Sequence, residues 1–227
     1  DCEKSGRNPI QLIVPACEQG AGFMAAGYAR STGKVGVFMV TSGPGATNSV
    51  TPIRDCMADS VPVVLITGQV PRAALGSDAF QEAPVFTLMS TCAKHAFLVT
   101  DPEELEATIR SAFEIARTGR PGPVVVDIPK DVQNWMGAYQ GKGILTLRGY
   151  HQRVRDVQNS RVSPEQAKAF FDLLGSSERP LLYVGGWVIN SGAAEELRQF
   201  SSKFGIPVAS TLMGLGAIDS ADPLSLQ

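Results

Sequence analysis

Residues 35–68 read VGVFMVTSGPGATNSVTPIRDCMADSVPVVLITG, and this stretch decides the fold of the chain. Two apolar runs, residues 35–40 and 61–67, have the length and β-branched content of buried strands. Between them, residues 46–58 predict a helix, which begins after a Gly-Pro-Gly turn at residues 43–45. A strand, a helix and a second strand in this order form a βαβ unit, which predicts a parallel sheet.

Apolar runs and helical patterns alternate on both sides of this stretch, from residue 10 to residue 129. Before residue 133 the pattern predicts strands at 11–14 and 123–128, helices at 20–30 and 102–118, and a loop with short helical pieces at 68–84. After residue 162 it predicts helices at 163–174 and 193–204 and strands at 180–184 and 207–211.

The predicted fold class is α/β, with two domains joined by a linker. Residues 1–132 form a parallel-sheet domain, residues 133–162 are polar and unperiodic as in a linker, and residues 163–227 form part of a doubly wound, Rossmann-like domain. The first domain lacks a convincing opening strand and helix, and the second has too few strands to close its sheet. We therefore expect a fragment of a longer protein.

Composition and charge exclude several classes of function. The 227 residues are 44% hydrophobic and 19% charged, and the formal net charge is −2. Because there is no basic cluster, nucleic acid is a poor candidate partner, and the apolar runs are too short to cross a bilayer. The four cysteines form no CxxC pair and the two histidines cannot build a metal site alone, so we expect no metal ligands here.

The most informative polar residue is Glu18, which follows the apolar run at residues 11–14. A carboxylate at a strand end, among apolar residues, is expected to be partly desolvated and to hold a proton near neutral pH. The alternative is a first-turn glutamate that stabilises the dipole of the next helix. The turn at residues 42–48, SGPGATN, has neither a Walker lysine nor a GxGxxG pattern, which excludes a phosphate loop of those types.

Further polar and glycine-rich segments follow other predicted strands. Residues 66–72 read ITGQVPR and residues 78–82 read DAFQE, which suits a functional loop or a polar surface loop. Lys94, Arg120 and Lys130, taken singly, are each better explained as a solvated surface charge. In the second domain, YVGGW at 183–187 and PVASTLMGLG at 207–216 place glycines where a ligand could approach the backbone or where the chain simply turns.

Taken together, these strings resemble the thiamine-diphosphate-dependent enzymes, and within them the acetolactate synthase (acetohydroxyacid synthase) family. The resemblance is carried by CEQG at 17–20, SGPGATN, ITGQVPR with DAFQE, KH at 94–95, GRPGPV at 119–124, PKD at 129–131 and IPVASTLMGLG at 206–216. It covers residues 16–131 strongly and residues 181–226 nearly as well. Members of the family usually have His before the glutamate, where this chain has Cys17.

The resemblance implies a role for each candidate residue. Glu18 is the catalytic residue, which bonds a ring nitrogen of the cofactor's aminopyrimidine and so activates it. The thiamine diphosphate side is lined by Pro44, Gly45, Asn48 and Gln81, and Gln81, like Phe80, lies beside the substrate as well as the cofactor. The substrate channel is lined by Pro71, Phe80, Lys94 and Lys130. FAD, structural in this family, is contacted by Arg120, Gly185, Gly186, Thr211, Leu212 and Met213.

The implied activity is decarboxylation of pyruvate and its carboligation to a second 2-oxo acid, giving acetolactate or acetohydroxybutyrate for branched-chain amino acid biosynthesis. The implied cofactors are thiamine diphosphate, FAD and Mg²⁺, the last bound through a C-terminal GDG…N segment that this chain does not contain. The implied assembly is a homodimer or tetramer, with a small regulatory subunit possible, in the cytoplasm or, in a eukaryote, the plastid. The fragment itself is expected to be inactive. The alternatives are another thiamine-diphosphate carboligase or decarboxylase, and a non-catalytic cofactor-binding half-site.

Overall fold

The computed structural model describes residues 10–138 and 149–226 of the chain. The chain divides into two compact units, residues 1–159 and residues 160–227. Part of the predicted linker, residues 139–148, lies outside the described residues, while residues 150–159 of that linker form a helix of the first unit. The predicted domain limits at residues 132 and 162 stay predictions.

The first unit is built on a four-stranded sheet with the order β1-β2-β4-β3, in which every pair of neighbours is parallel. Its strands are β1 Gly36–Val40, β2 Val63–Gln69, β3 His95–Leu98 and β4 Val124–Pro129. The parallel sheet predicted from residues 35–68 is therefore confirmed, with β1 and β2 as direct neighbours. Every residue of β4 is buried, as expected for a strand covered on both faces.

Helices cover both faces of this sheet. They are α1 Glu18–Thr32, α2 Pro44–Asn48, α3 Val50–Ala58, α4 Val85–Ser90, α5 Leu105–Arg117, α6 Lys130–Gln133 and α7 Tyr150–Asn159. Because successive side chains of a strand point to opposite faces, Leu65 packs into one apolar cluster with Phe38 and Ile53 while Val64 packs into another with Ile115. The helix predicted at residues 102–118 is confirmed as a short 3-10 turn followed by α5.

The strand predicted at residues 11–14 is wrong for the chain as described. Leu12 and Val14 are each 82% exposed, and residues 10–15 pair with no strand among the described residues. An apolar run alone does not form a strand, because the backbone also needs a neighbouring strand to bond. The sequence also missed α4 and β3, which are only six and four residues long.

The second unit has a three-stranded parallel sheet with the order β5-β6-β7. Its elements are α8 Pro164–Ser176, β5 Leu182–Val184, α9 Gly186–Asn190, α10 Ala194–Phe204, β6 Val208–Ser210 and β7 Ser225–Leu226. A capping box between Ser163 and Gln166 starts α8. The helix predicted from Ser163-Pro164 onward is therefore confirmed. Val184, Val208 and Ile218 form the core. The parallel α/β class is confirmed for this unit too.

Candidate functional site

The topology of the first unit gathers several predicted site residues on one side of its sheet. We call this side the carboxyl edge and define it by residues 41–48, 70–72, 99–101 and 130–131, which follow β1, β2, β3 and β4. In parallel sheets, ligands bind in the crevice outside these strand ends. The helix α1 packs on β1 and ends just before it, so that the first turn of α1 lies at the carboxyl edge as well.

Glu18 and Asn48 meet at this edge. The Asn48 amide Nδ2 donates to Glu18 Oε2 at 3.1 Å, which joins the first turn of α1 to the end of α2. Cys17 caps α1, because its Sγ accepts from the Gly20 N–H at 3.4 Å. A carboxylate and an amide side by side offer an acceptor and a donor to a ring that carries both.

The expected desolvation of Glu18 is wrong for this chain by itself. A backbone N–H and the Asn48 amide hold the pKa of the Glu18 carboxyl below its usual range, and burial opposes them only weakly. The reason is that residues 10–14, expected to shield Glu18, are exposed. Glu18 is thus an ionised carboxylate at neutral pH in the chain alone.

The glycine turn at residue 43 is fitted to the backbone of Gln81. Gly43 has φ +59°, and a Cβ there would lie 2.7 Å from the Gln81 carbonyl oxygen. Gln81 itself has φ +59°, in the left-handed region that is uncommon for residues other than glycine. Pro44 and Gly45 continue the turn into α2. The structure therefore brings together the four residues predicted on the thiamine diphosphate side: Pro44, Gly45, Asn48 and Gln81.

Gln81 belongs to a loop, residues 76–83, that leads from β2 towards α4. We call it the 76–83 loop. The Glu82 carboxylate accepts from the Gly76 N–H and, at 3.1 Å, from the Ala79 N–H, and these bonds lower the pKa of Glu82. Phe80 stands out from the loop with 90% of its surface exposed. A large exposed aromatic ring on an internally braced loop is suited to contacting another molecule.

An ion pair braces the carboxyl edge beside this loop. Arg72 Nε donates to Asp131 Oδ2 at 2.6 Å, and Arg72 Nη1 donates to the Thr100 carbonyl at 2.7 Å. These bonds connect the segments after β2, β3 and β4. The pKa of Asp131 is lowered by the Arg72 backbone N–H, which donates to Oδ1 at 3.0 Å, and by the Arg72 side chain. Pro71 and Lys130 are the exposed neighbours of this pair in the chain. Both predicted channel residues thus lie at the carboxyl edge.

A buried polar cluster under the edge was missed by the sequence analysis. Asp127 on β4 is fully buried and accepts from Thr67 Oγ1 at 2.7 Å and from Gln69 Nε2 at 3.0 Å. Burial raises the pKa of Asp127 to about 6, although both hydrogen bonds oppose the rise. The available signal was an aspartate inside the otherwise apolar run at residues 124–128, where an ionisable side chain needs partners.

Lys94 and Arg120 lie at the opposite side of the sheet, where the strands begin. We call this side the amino edge; Lys94 directly precedes β3, and Arg120 lies shortly before β4. Lys94 Nζ donates to the carbonyls of Ile115 and Thr118 at the end of α5, and burial lowers its pKa to about 8. Arg120 Nη2 donates to the carbonyl of Met57 at 2.9 Å, at the end of α3. Within this chain the structure therefore does not bring Lys94 or Arg120 together with Glu18. Their predicted contacts with substrate and FAD stay predictions.

In the second unit the predicted FAD residues do come together. The Thr211 N–H donates to the Val184 carbonyl at 2.9 Å, so the segment after β6 lies against the end of β5. A Cβ on Gly186 would lie 3.0 Å from Met213 Cβ. The glycine is thus explained by the close approach of the two turns. Two groups beside these turns are candidates for contact with a ligand. Leu212 is 82% exposed. The buried Ser210 hydroxyl has no hydrogen-bond partner among the described residues.

Two models of protein families match the chain over these same units. The "thiamine pyrophosphate enzyme, N-terminal TPP binding domain" matches residues 2–90, and the "thiamine pyrophosphate enzyme, central domain" matches residues 167–227. The chain belongs to the thiamine pyrophosphate enzymes. Thiamine pyrophosphate is thiamine diphosphate under another name, so the predicted family is confirmed.

Among thiamine pyrophosphate enzymes, the chain is similar to acetolactate synthases. It is 51% identical to an acetolactate synthase of Arthrospira platensis over 92% of the chain and 35% of that protein. It is 47% identical to a chloroplastic acetolactate synthase of Nicotiana tabacum over 96% of the chain and 32% of that protein. A chloroplastic acetolactate synthase of Zea mays is 49% identical over 92% of the chain and 32% of its own length. The chain thus spans about a third of the curated relatives it matches.

Neither a membrane-spanning helix nor a metal-binding cluster is present in the described part of the chain. Residues 10–138 and 149–226 contain no helix long and apolar enough to cross a membrane. In the same part of the chain, no group of three or more His, Cys, Asp or Glu side chains could hold a metal ion.

Proposed function

We propose that the full-length protein is a transferase of the acetolactate synthase type, which uses thiamine diphosphate to join two 2-oxo acids. The observation that carries the proposal is the contact between Glu18 and Asn48 at the carboxyl edge, beside the turn at Gly43 and the backbone of Gln81. It lies in the unit that matches a thiamine pyrophosphate binding domain, in a chain that is 51% identical to an acetolactate synthase.

The residues present fit the pyrimidine half of thiamine diphosphate. An aminopyrimidine carries ring-nitrogen acceptors beside an amino donor, and a carboxyl paired with an amide can satisfy such a pattern. Gly43 and Gly45 flank Pro44 in the turn before Asn48, where a Cβ on Gly43 would meet the Gln81 backbone and one on Gly45 the Thr41 side chain. When bound, thiamine diphosphate supplies the carbon nucleophile that attacks a 2-oxo acid, since no side chain offers an equivalent one.

Each residue of the edge has a defined task in this proposal. Glu18 holds a proton between its carboxylate and the cofactor's ring nitrogen, and Asn48 fixes the orientation of that carboxylate. Covering the edge removes water from Glu18, which raises its pKa from the lowered value in the chain alone and favours the shared proton. Phe80, Gln81 and Pro71 line the approach of the 2-oxo acid. The Lys130 ammonium attracts its carboxylate.

The rest of the assembly is also proposed. FAD lies on the turns of the second unit, at Gly185, Gly186, Thr211, Leu212 and Met213, and the Ser210 hydroxyl, which has no partner among the described residues, is available to bond it. Mg²⁺ and the diphosphate are held by a segment outside this sequence. The active protein is a homodimer or tetramer, in which Lys94 approaches a channel shared between subunits, and a small regulatory subunit can bind it. The products feed branched-chain amino acid biosynthesis, in the cytoplasm or, in a eukaryote, the plastid.

The test is an assay of the full-length gene product with pyruvate, thiamine diphosphate, Mg²⁺ and FAD. The proposal predicts one acetolactate and one CO₂ for every two pyruvate molecules consumed. Acetaldehyde in place of acetolactate would identify a decarboxylase and contradict the proposal. A yellow, flavin-containing protein that leaves pyruvate unchanged would support a non-catalytic role instead.

A further inference from the structure

The side chain of Gln69 joins the sheet to the 76–83 loop. Gln69 lies at the end of β2 and is 5% exposed. Its Nε2 donates to Asp127 Oδ2 at 3.0 Å and to the carbonyl oxygen of Ala83 at 2.9 Å. Its Oε1 accepts from the Val70 N–H at 2.8 Å. Both N–H groups and the oxygen of the Gln69 amide are therefore hydrogen-bonded. One of the N–H groups binds Ala83, the last residue of the loop.

Asp127 is the anchor of this arrangement. It is fully buried on β4, and its two oxygens are shared between Gln69 and Thr67. A buried carboxyl that accepts two hydrogen bonds fixes both donors, because releasing either would leave a buried oxygen unsatisfied. Asp127 thereby fixes which way the Gln69 amide faces.

Among the described residues the loop is also held by apolar packing of Ala83 against the cluster that contains Leu65, but such packing sets no direction. Within the loop, Glu82 bonds the N–H groups of Gly76 and Ala79, which gives it internal shape but no attachment to a strand. At the sheet edge, the Gln81 backbone lies so close to Gly43 that a Cβ there would be 2.7 Å from the Gln81 carbonyl oxygen. The directional bond from Gln69 to Ala83 fixes the loop in this position, because it holds the residue two places after Gln81.

We propose that Gln69, held by Asp127, is a positioning residue that sets where Gln81 and Phe80 stand relative to the Glu18–Asn48 pair. The inference rests on the proposed function, in which Phe80 and Gln81 line the approach of the 2-oxo acid while Glu18 acts on the cofactor. Loss of the tether therefore weakens the binding of the 2-oxo acid and leaves the activation of the cofactor intact.

The test uses Gln69→Met and Thr67→Val in the full-length protein. Each removes one hydrogen bond to Asp127, but only Gln69 bonds the loop. For Gln69→Met we expect the KM for pyruvate to rise about tenfold, with kcat within about twofold of wild type. For Thr67→Val the KM stays within about twofold. An equal KM in the two variants, or a fall in kcat alone for Gln69→Met, would overturn the proposal.

Hydrogen exchange on the same proteins separates this proposal from the proposed function. The Ala79 and Glu82 amides are hydrogen-bonded inside the loop, and in Gln69→Met they should exchange at least about fivefold faster than in Thr67→Val. Equal exchange would overturn the positioning role even if the wild type makes acetolactate. Faster exchange in a wild type without activity would support the tether while the proposed function fails.

A double variant guards against misfolding. Gln69→Met leaves the buried Asp127 carboxylate with one partner, which can prevent folding. Gln69→Met combined with Asp127→Asn removes that charge and still lacks the bond to Ala83. It is expected to show the same rise in KM and the same faster exchange of the loop, and wild-type values in both would overturn the proposal.

Discussion

The two edges of the first sheet both carry charged and polar side chains, but these side chains have different hydrogen-bond partners at the two edges. At the amino edge, Lys94 and Arg120 bond backbone carbonyls at the ends of α5 and α3. At the carboxyl edge, Glu18 bonds the side chain of Asn48, and Phe80 and Lys130 are exposed. A charge next to a strand is therefore a weak sign of a site until the topology shows which end of the strand it follows.

The difference has a physical origin. Helix C-termini present unpaired carbonyls, and α3 and α5 both end at the amino edge because they run antiparallel to the strands that follow them. Cations are stabilised there whether or not a ligand binds. At the carboxyl edge helices begin, so acids and amides such as Glu18 and Asn48 are found there.

The largest stability effect is expected at Gly43. Gly43→Ala places a Cβ 2.7 Å from the Gln81 carbonyl oxygen at a positive φ, which should cost about 2–4 kcal/mol of unfolding free energy. Gly33→Ala is the matched control, since Gly33 also has positive φ but nothing within 4 Å, and it should cost about 1 kcal/mol. Hydrogen exchange of the β2 amides in the full-length protein measures both. Equal costs would show that the turn is not fitted to Gln81.

The next effect distinguishes the buried cluster from the exposed edge. Folding raises the pKa of Asp127 from 3.8 to about 6, so its protonated form favours the folded state and this stabilisation is lost as pH rises through 6. Asp127→Asn should therefore raise the unfolding free energy at pH 8 by up to about 3 kcal/mol, and the gain should vanish near pH 4.

Asp131→Asn is expected to change the free energy of unfolding in the opposite direction. Folding lowers the pKa of Asp131 through its bonds to Arg72, so its contribution to stability is present at pH 8 and is lost as pH falls through the folded pKa. Asp131→Asn should thus destabilise the protein at pH 8 and match wild type at low pH. Denaturation curves between about pH 2 and pH 8 measure both variants, since the folded pKa of Asp131 lies below 3.8. A loss of stability for Asp127→Asn at pH 8 would contradict the assignment of a raised pKa.

The smallest effect is expected at the amino edge. Arg120→Met removes donors from the end of α3, where the freed carbonyls can bond water, and should cost about 1 kcal/mol. Arg54→Met removes the same charge from α3 at an exposed side chain for which the described part of the chain provides no hydrogen bond. Its thermal midpoint should equal that of wild type. A thermal midpoint for Arg120→Met that also equals that of wild type would contradict the view that Arg120 stabilises the end of α3.

Much of this comparison was predictable from the sequence, because local signals agreed with the fold. The run at residues 35–68 specifies β1, α3 and β2, and the Ser-Pro signal starts α8. The strand at residues 11–14 failed because pairing is not a local property. The prediction that Glu18 holds a proton near neutral pH was wrong for the same reason, since the shielding of Glu18 depends on which residues come to lie over it.

The site was predictable where a motif names a residue and unpredictable where residues meet across strands. Glu18, Asn48 and Gln81 were selected individually from strings of sequence. Their contacts depend on how α1 and the loop at residues 76–83 lie against the turn and helix at residues 43–48. The cluster of Asp127 with Thr67 and Gln69 depends on the register of β2 against β4, in which Thr67 is the partner of Asp127. Register follows from the packing of both faces and is not written in either strand alone.

The central claim is that Glu18 at the carboxyl edge performs chemistry and does not merely start a helix. The most direct test compares Glu18→Gln with Glu165→Gln in the full-length protein, since Glu165 also lies in the first turn of a helix, α8, and its pKa is also lowered by a side-chain hydrogen bond. The account predicts that acetolactate formation falls about 10²–10⁴-fold in Glu18→Gln and stays within about twofold of wild type in Glu165→Gln. Near-normal turnover in Glu18→Gln would contradict it.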